Sequence, residues 1–314
     1  MANFAYIVGA CTKYLPELCA ELNSLDYVGN KFDVHILGID QERKNIGLPE
    51  EFTSQFDKLN YKVIHHPISS EEIDASRGIS EITCRKRYWY AGEIGKDYDA
   101  ACILDADLVF VRDPWQYFVA AWKTGFIFGP CKEQNKVYDD PHHQADGEWI
   151  IPEGYYNDKD LCNCPVFIDA KLWEAPLKKS WDIFLNHGFK APDMDAMNIC
   201  FIEAGGHERV VKLPGNQWLG TNEQHLKPYI RAVERRGLIC TENGMEIFSY
   251  HGQYYKDKWV KCQLDNRHQC AAGYLKTTEC PDNMAEGAMN LLRSYFNKML
   301  DYKIIIPHKD YINA

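Results

Sequence analysis

The first hundred residues alternate short β-rich apolar runs with stretches of helical spacing, and no other feature restricts the fold as strongly. Residues 4–10 (FAYIVGA), 33–39 (DVHILGI) and 61–68 (YKVIHHPI) have the length and composition of buried strands. Residues 15–25 (LPELCAELNSL) carry apolar side chains three and four apart, with Pro16 in a first turn that has no use for its missing N–H. Residues 80–95 (SEITCRKRYWYAGEIG) read as a second helix, and 99–111 (DAACILDADLVFV) as a fourth strand. Such alternation predicts a parallel sheet with helices on both faces. Ligands on sheets of this kind sit beyond the carboxyl ends of the strands.

The fourth strand runs into two acids there. Asp105 and Asp107 flank one alanine, with ACIL before them and LVFV after. An ionised carboxylate between two buried runs needs a partner. Two carboxylates one residue apart can share a hard divalent cation, Mg²⁺ or Mn²⁺, of the kind that bridges a nucleotide diphosphate. An Asp-x-Asp pair alone also fits a solvated turn, so its place at a strand end carries the argument.

The second half has a different texture. Residues 132–160 are polar, aromatic and rich in Asp, His, Gly and Pro, the composition of a functional loop. Residues 164–173 read as a strand leading to a helix, 195–206 as a helix with a glycine stop, 245–252 as a short strand ending in histidine, and 284–300 as a closing amphipathic helix. Neither a linker nor an internal repeat divides the 314 residues, and 46% apolar residues suffice for one large core, so a single α/β unit is expected. The formal net charge of −10 argues against a nucleic-acid partner. No stretch reaches the length of an apolar membrane span, and the opening MANFAYIVGACTKYLPEL lacks the pattern of a secretory signal. A cytoplasmic location is therefore expected, with the twelve cysteines as reduced thiols. Cys262, His268, Cys270 and Cys280 could be read as a zinc site but lack paired C-x₂-C spacing.

Residues 98–114 (YDAACILDADLVFVRDP) resemble the Asp-x-Asp segment of nucleotide-sugar glycosyltransferases of the GT-A fold, closest to the retaining, glycogenin-like family 8. Four further stretches are similar to family segments in the family's order. They are IVGACTKYLPEL (7–18), LCNCPVFID (161–169), DMDAMN (193–198) and YHGQYYKDKW (250–259). The resemblance implies a GT-A, Rossmann-like, mostly parallel sheet with a smaller acceptor-side lobe. Residues 1–115 would form the nucleotide-binding half, 116–283 the sugar and acceptor half, and 284–314 a closing helix and tail. It also departs from the family: Met194 replaces a glutamine, Pro165 a glycine, and Asp257 the last motif's lysine.

The resemblance further implies roles. Ala10, Cys11, Thr12 and Tyr14 would receive the uracil and ribose of a UDP-sugar. Asp105, Asp107 and His251 would hold Mn²⁺ or Mg²⁺, with Ala106 beside the donor. Asn163 would touch the sugar, and Asp193 or Asp195 would lie by the reacting carbon. Lys258 or Lys256, with one of Arg85, Lys86 and Arg87, would face the leaving diphosphate. His142 and His143 could face an acceptor, whose identity stays open, although 8 Trp and 19 Tyr suit sugar stacking. The expected activity is hexosyl transfer with retention. A nucleotidyltransferase is the rival enzyme, disfavoured because GACTKYLP is not a Gly-rich phosphate loop. A non-catalytic sugar-binding protein is the other rival.

Overall fold

In the first strand, β1 (Phe4–Cys11), successive side chains enter two different cores. Phe4, Tyr6, Val8 and Ala10 join one, and Ala5, Ile7 and Cys11 join the other. Period-two alternation with every residue buried means that this strand is covered on both faces, as a central parallel strand must be. The computed structural model describes residues 2–40, 47–68, 79–130, 161, 164–186, 193–213, 218–219, 232–235, 238–241, 247–251 and 294–307.

Beside β1 run β2 (Asp33–Ile39) and, further out, β3 (Val63–Pro67); on its other side runs β4 (Ala100–Asp105). These four strands are mutually parallel. The sheet continues through β7 (Val166–Asp169), antiparallel to β4, then β6 (Ile127–Gly129) and β8 (Val210–Lys212), in the order β3-β2-β1-β4-β7-β6-β8. One face is covered by α1 (Leu15–Tyr27), α2 (Glu50–Thr53) and α4 (Trp115–Thr124). The other is covered by α3 (Ile79–Gly95), α5 (Glu174–Asn186) and α6 (Asp193–Glu203). This mostly parallel sheet flanked by helices is what the alternation predicts and what the GT-A resemblance implies. The expected strands and helices of residues 4–95 and 164–206 stand at their places within a few residues, and Gly205, with φ of 70°, ends α6. Of the closing helix expected over 284–300, residues 294–300 are helical and the rest lie outside the described residues.

One segment differs. Residues 99–111 read as a single strand, but the chain turns at Ala106 and Asp107. The continuation, β5 (Leu108–Phe110), leaves for a small second sheet with β12 (Ser249–His251) and β9 (Trp218–Leu219). Two acids two residues apart would enter the same buried face of a continuing strand, so the strand ends at the first of them. A further hairpin pairs β10 (Ala232–Arg235) with β11 (Leu238–Thr241). The loop at 132–160, with His142 and His143, and the cysteines considered for zinc at 262–280 lie outside the described residues. Cys11, Cys19, Cys102, Cys164 and Cys200 are buried.

Helix α1 is buried along Leu15–Asp26, not only on its apolar side. Its outer face is covered by the chain that follows α7 (residues 294–300). Asn23 is the fastener. Its Nδ2 donates to the carbonyls of Met299 (2.6 Å) and Ile304 (2.8 Å), and its Oδ1 accepts from the amides of Lys303 (3.2 Å) and Ile304 (3.0 Å). Lys303 Nζ reaches the buried Asp26 at 2.7 Å, and Tyr295 donates to the carbonyl of Phe110 at 2.9 Å. The strap therefore holds both α1 and the strand that follows the acids. Asn23→Ala strands buried backbone groups, and we expect it to lower the unfolding free energy by roughly 2–4 kcal/mol. Urea denaturation checks this; a loss of less than about 1 kcal/mol would mean that water replaces the amide.

Candidate functional site

The parallel register of β1 and β4 sets Gly9 opposite Asp105. The next residues of β1, Ala10 and Cys11, therefore end beside Asp105 and Ala106 at the carboxyl edge of the sheet. Ala10 and Cys11 at the end of β1 are buried, and the single tight turn Thr12–Tyr14 that leads into α1 carries buried Thr12 and half-buried Tyr14. Asp105 is the more open acid, its side chain 23% exposed, whereas Ala106 and Asp107 are buried.

Helix α3 brings Arg87 to this edge, with its side chain 1% exposed. The guanidinium pairs with Asp105, donates to the carbonyl of Leu104 at 3.2 Å, and reaches the Tyr88 hydroxyl at 3.1 Å. A buried guanidinium requires a carboxylate, and its planar fork suits several acceptors at once. Sequence alone left the choice among Arg85, Lys86 and Arg87 open. Arg87 sits with the acids. Lys86 is buried too, with its ammonium 5.3 Å from the Trp89 ring and 5.7 Å from that of Trp181. The Arg85 side chain lies outside the described residues.

Two more acids converge from α1. Glu17 and Glu21, one turn apart, are both buried. Burial, reinforced by Asp105 and then by Glu17, pushes the Asp107 carboxyl well above the ordinary carboxylate range, and Arg87 pulls it back only in part. Glu21 is likewise raised by burial and then by Asp107 and Asp105. Neither Glu21 oxygen has a hydrogen-bond partner among the described residues. Sequence reading passed over both glutamates. The available signal was that residues 15–25 carry acids and no Lys or Arg, unlike an ordinary surface helix with mixed signs.

His251 is delivered by register. Strand β12 runs antiparallel to β5, with His251 opposite Leu108, the residue after Asp107. Its imidazole lies outside the described residues, and among those residues no three His, Cys, Asp or Glu side chains form a metal-holding group. The described donors nevertheless suit a hard divalent cation. They are carboxylate oxygens; Asp107 and Glu21 are raised by burial first and by their mutual repulsion second, and a bound cation would offset the repulsion.

The other expected residues are placed in part. Asp193 and Asp195 stand in the first turn of α6, with side chains outside the described residues. Asn198, on the same helix, is buried and bonds Leu161 twice, accepting from its amide and donating to its carbonyl, each at 3.0 Å. That two-way bond fastens the chain two residues before Asn163, which itself lies outside the described residues. Lys256 and Lys258 also lie outside them.

No protein-family model matches the chain, and no curated protein matches it. Solved structures do resemble it. The apo form of the bifunctional glycosyltransferase WbbM matches with TM-score 0.45 and 13% identity, covering 70% of this chain and 40% of that one. The galactosyltransferase LgtC in complex with donor and acceptor sugar analogues matches with TM-score 0.45 and 17% identity, over 71% and 77%. Mouse xyloside xylosyltransferase 1, apo form, matches with TM-score 0.41 and 15% identity, over 70% and 87%. The chain thus spans 40% of the length of WbbM.

The state of Glu21 makes stability depend on pH. Its folded carboxyl holds a proton above the ordinary value of 4.5, so the folded state binds more protons than the unfolded one as pH rises past that value. Its contribution is complete below that pH and is lost on the way to neutrality. Glu21→Gln cannot ionise. In metal-free buffer we expect it to match the parent protein at pH ~4 and to exceed it by about 1 kcal/mol or more at pH ~7, by urea unfolding. An equal difference at both pH values would mean that Glu21 is an ordinary carboxylate in the fold.

Proposed function

We propose that this chain transfers a hexose from a UDP-sugar to an acceptor hydroxyl, with retention at the anomeric carbon. The observation that carries this reading is the pair of strand registers at one sheet edge. Gly9 against Asp105 and His251 against Leu108 bring the end of β1, both acids and the histidine backbone together. On this reading 1–115 is the nucleotide half, 116–283 the sugar and acceptor half, and 284–314 the closing segment.

The end of β1 at Ala10 and Cys11, with Thr12 and Tyr14 of the turn after it, would receive the uracil and ribose. Asp105, Asp107 and His251 would hold Mn²⁺ or Mg²⁺; when bound, the ion supplies Lewis-acid neutralisation of the leaving diphosphate. The contact with Arg87 would hold Asp105 in place at the edge before any ligand arrives, so little reorganisation is left to the reaction. Lys258 or Lys256 would add positive charge opposite the leaving group, where its attraction grows as the bond to the sugar breaks. Asp193 or Asp195, at the start of α6, would border the reacting carbon together with Asn163. In retaining transfer the acceptor oxygen bonds to that carbon on the face that the diphosphate leaves, and the hydroxyl proton passes to the departing phosphate oxygen.

Calorimetry with UDP tests the site. We expect micromolar binding that needs Mn²⁺ or Mg²⁺, and loss of at least about 100-fold in affinity in Asp107→Asn, a charge-assisted contact being worth roughly 2–4 kcal/mol. UDP release from a panel of UDP-sugars with Mn²⁺ then tests the reaction. Metal-independent UDP binding, or unchanged affinity in Asp107→Asn, would remove the metal site. Tight UDP binding with no UDP release from any sugar would favour the non-catalytic reading.

A further inference from the structure

A second, partly buried polar system meets α3 one turn further along, at Tyr90. Strand β2 contributes Asp33 and His35, β3 contributes His66, α3 contributes Tyr90, and the turn before β4 contributes Tyr98. Tyr98 donates its hydroxyl proton to Asp33 Oδ2 at 2.8 Å. Its oxygen lies 2.7 Å from His35 Nε2, His35 Nδ1 lies 2.9 Å from His66 Nε2, and His66 Nδ1 is bonded to the Tyr90 hydroxyl.

These contacts fix every proton. The Asp33 carboxylate can only accept, so the Tyr98 proton is committed to it and His35 Nε2 must donate to Tyr98. Neutral His35 then has a bare Nδ1, which accepts from Nε2–H of His66. Neutral His66 in turn has a bare Nδ1, which accepts from Tyr90. The result is one unbroken run of donors from Tyr90 to Asp33. The two rings lie parallel within 4°, their centroids 5.1 Å apart.

We propose that Tyr90, His66, His35, Tyr98 and Asp33 form an acid-sensitive latch that holds α3 on the β2–β3 edge of the sheet while at most one of the two imidazoles is charged. A first proton can be accommodated. If it enters at His35 Nδ1, His66 shifts its own proton to Nδ1, accepts from His35 through Nε2, and donates to the Tyr90 oxygen. A second proton cannot. His35 and His66 would then face each other with N–H against N–H at 2.9 Å, two parallel cations with no acceptor between them.

The charged surroundings set the working range. Asp33 favours a charge on His35, while Lys62 and His66 oppose it, and burial outweighs them all, bringing His35 down to about 4. Burial also lowers His66. His65, next along β3, falls to about 4 through burial and then His66; its Nε2 accepts the Leu48 amide at 3.1 Å and would lose that bond on protonation. Glu93 faces Tyr90, and Asp97 faces Tyr98. Because the folded values lie below the ordinary histidine value of 6.5, stability is complete above that pH and is lost as pH falls through it towards about 4.

The latch rests on the fold and not on the proposed reaction. Nitrogen-15 spectra of the imidazoles of the whole chain at neutral pH should show His35 and His66 both neutral, each with its proton on Nε2. Amide-exchange protection along α3, corrected for intrinsic rates, should fall between pH ~7 and ~4.5. Tyr90→Phe removes a half-exposed hydroxyl and leaves both rings in place. It should lower α3 protection at neutral pH by roughly 3- to 10-fold, the worth of one link in such a chain. His66→Phe should abolish most of the pH dependence in α3, leaving a weakened hold at both pH values. If His66→Phe does not fold, the Tyr90→Phe result and the two tautomers decide the matter. Ordinary titration of either imidazole near 6.5, an Nδ1–H tautomer at neutral pH, or α3 protection unaffected by Tyr90→Phe would each overturn the latch.

Discussion

The ion pair between Arg87 and Asp105 is the interaction on which the arrangement at the sheet edge depends. A guanidinium 1% exposed has no water to solvate it, so its charge must be met within the fold. Asp105 can meet it only where β4 ends, and that end is set by the register of β4 against β1. The pair therefore ties α3, on one face of the sheet, to the turn that carries both acids. Leu104 and Tyr88 take up further donors of the same group. Truncating one partner would leave the other as an uncompensated buried charge, a loss of about 3–5 kcal/mol in comparable pairs.

The same accounting applies to α1, whose polar residues are buried with its apolar ones. Asn23 and Asp26 are satisfied, the first by the backbone around Ile304 and the second by Lys303 and the amide of Asn60 at 2.6 Å. Ser24 is satisfied by donating to the carbonyl of Glu21 and accepting from the amide of Phe110. Glu21 has no partner among the described residues, and it faces Asp107 and Asp105. A fold that provides for Asn23, Ser24 and Asp26 on this helix, yet gathers carboxyl groups at one edge, is suited to a positive ligand there. Arg87 is the only described cation acting on both Asp107 and Glu21, and it leaves both raised.

The central strands were legible in the sequence because burial on both faces makes them continuous apolar runs, and β1, β2 and β4 leave little room for another reading. The acids were legible for the complementary reason, since charge at the end of such a run is conspicuous. The break after Asp105 was not, because LVFV continues the apolar run and only its transfer to a second sheet distinguishes it. The burial of Glu17 and Glu21 was not, because the turn they face, with Asp107, comes from a distant part of the chain. The partner of Arg87 was not, because three adjacent basic residues on a helix are told apart only by its rotation against the sheet. The histidines were hidden for a stricter reason. His35 and His66 meet through the β2–β3 register, which places His35 opposite Ile64 and Leu37 opposite His66. No spacing within either strand contains that offset.

Helix α3 joins the two polar systems. Arg87 and Tyr90 are three residues apart, hence neighbours along the helix surface, and each is held by a different part of the sheet. Arg87 is held by a charge at the end of β4, and Tyr90 by neutral rings on β2 and β3. Acid acts on the second attachment through its imidazoles, whose folded values lie below the ordinary histidine value of 6.5. The Arg87–Asp105 contact contains no imidazole, and Arg87 donates as well to the carbonyl of Leu104, a group that does not titrate. Loosening the Tyr90 attachment therefore leaves the contact that positions Asp105 in place, with the edge strands β2 and β3 less firmly joined to α3.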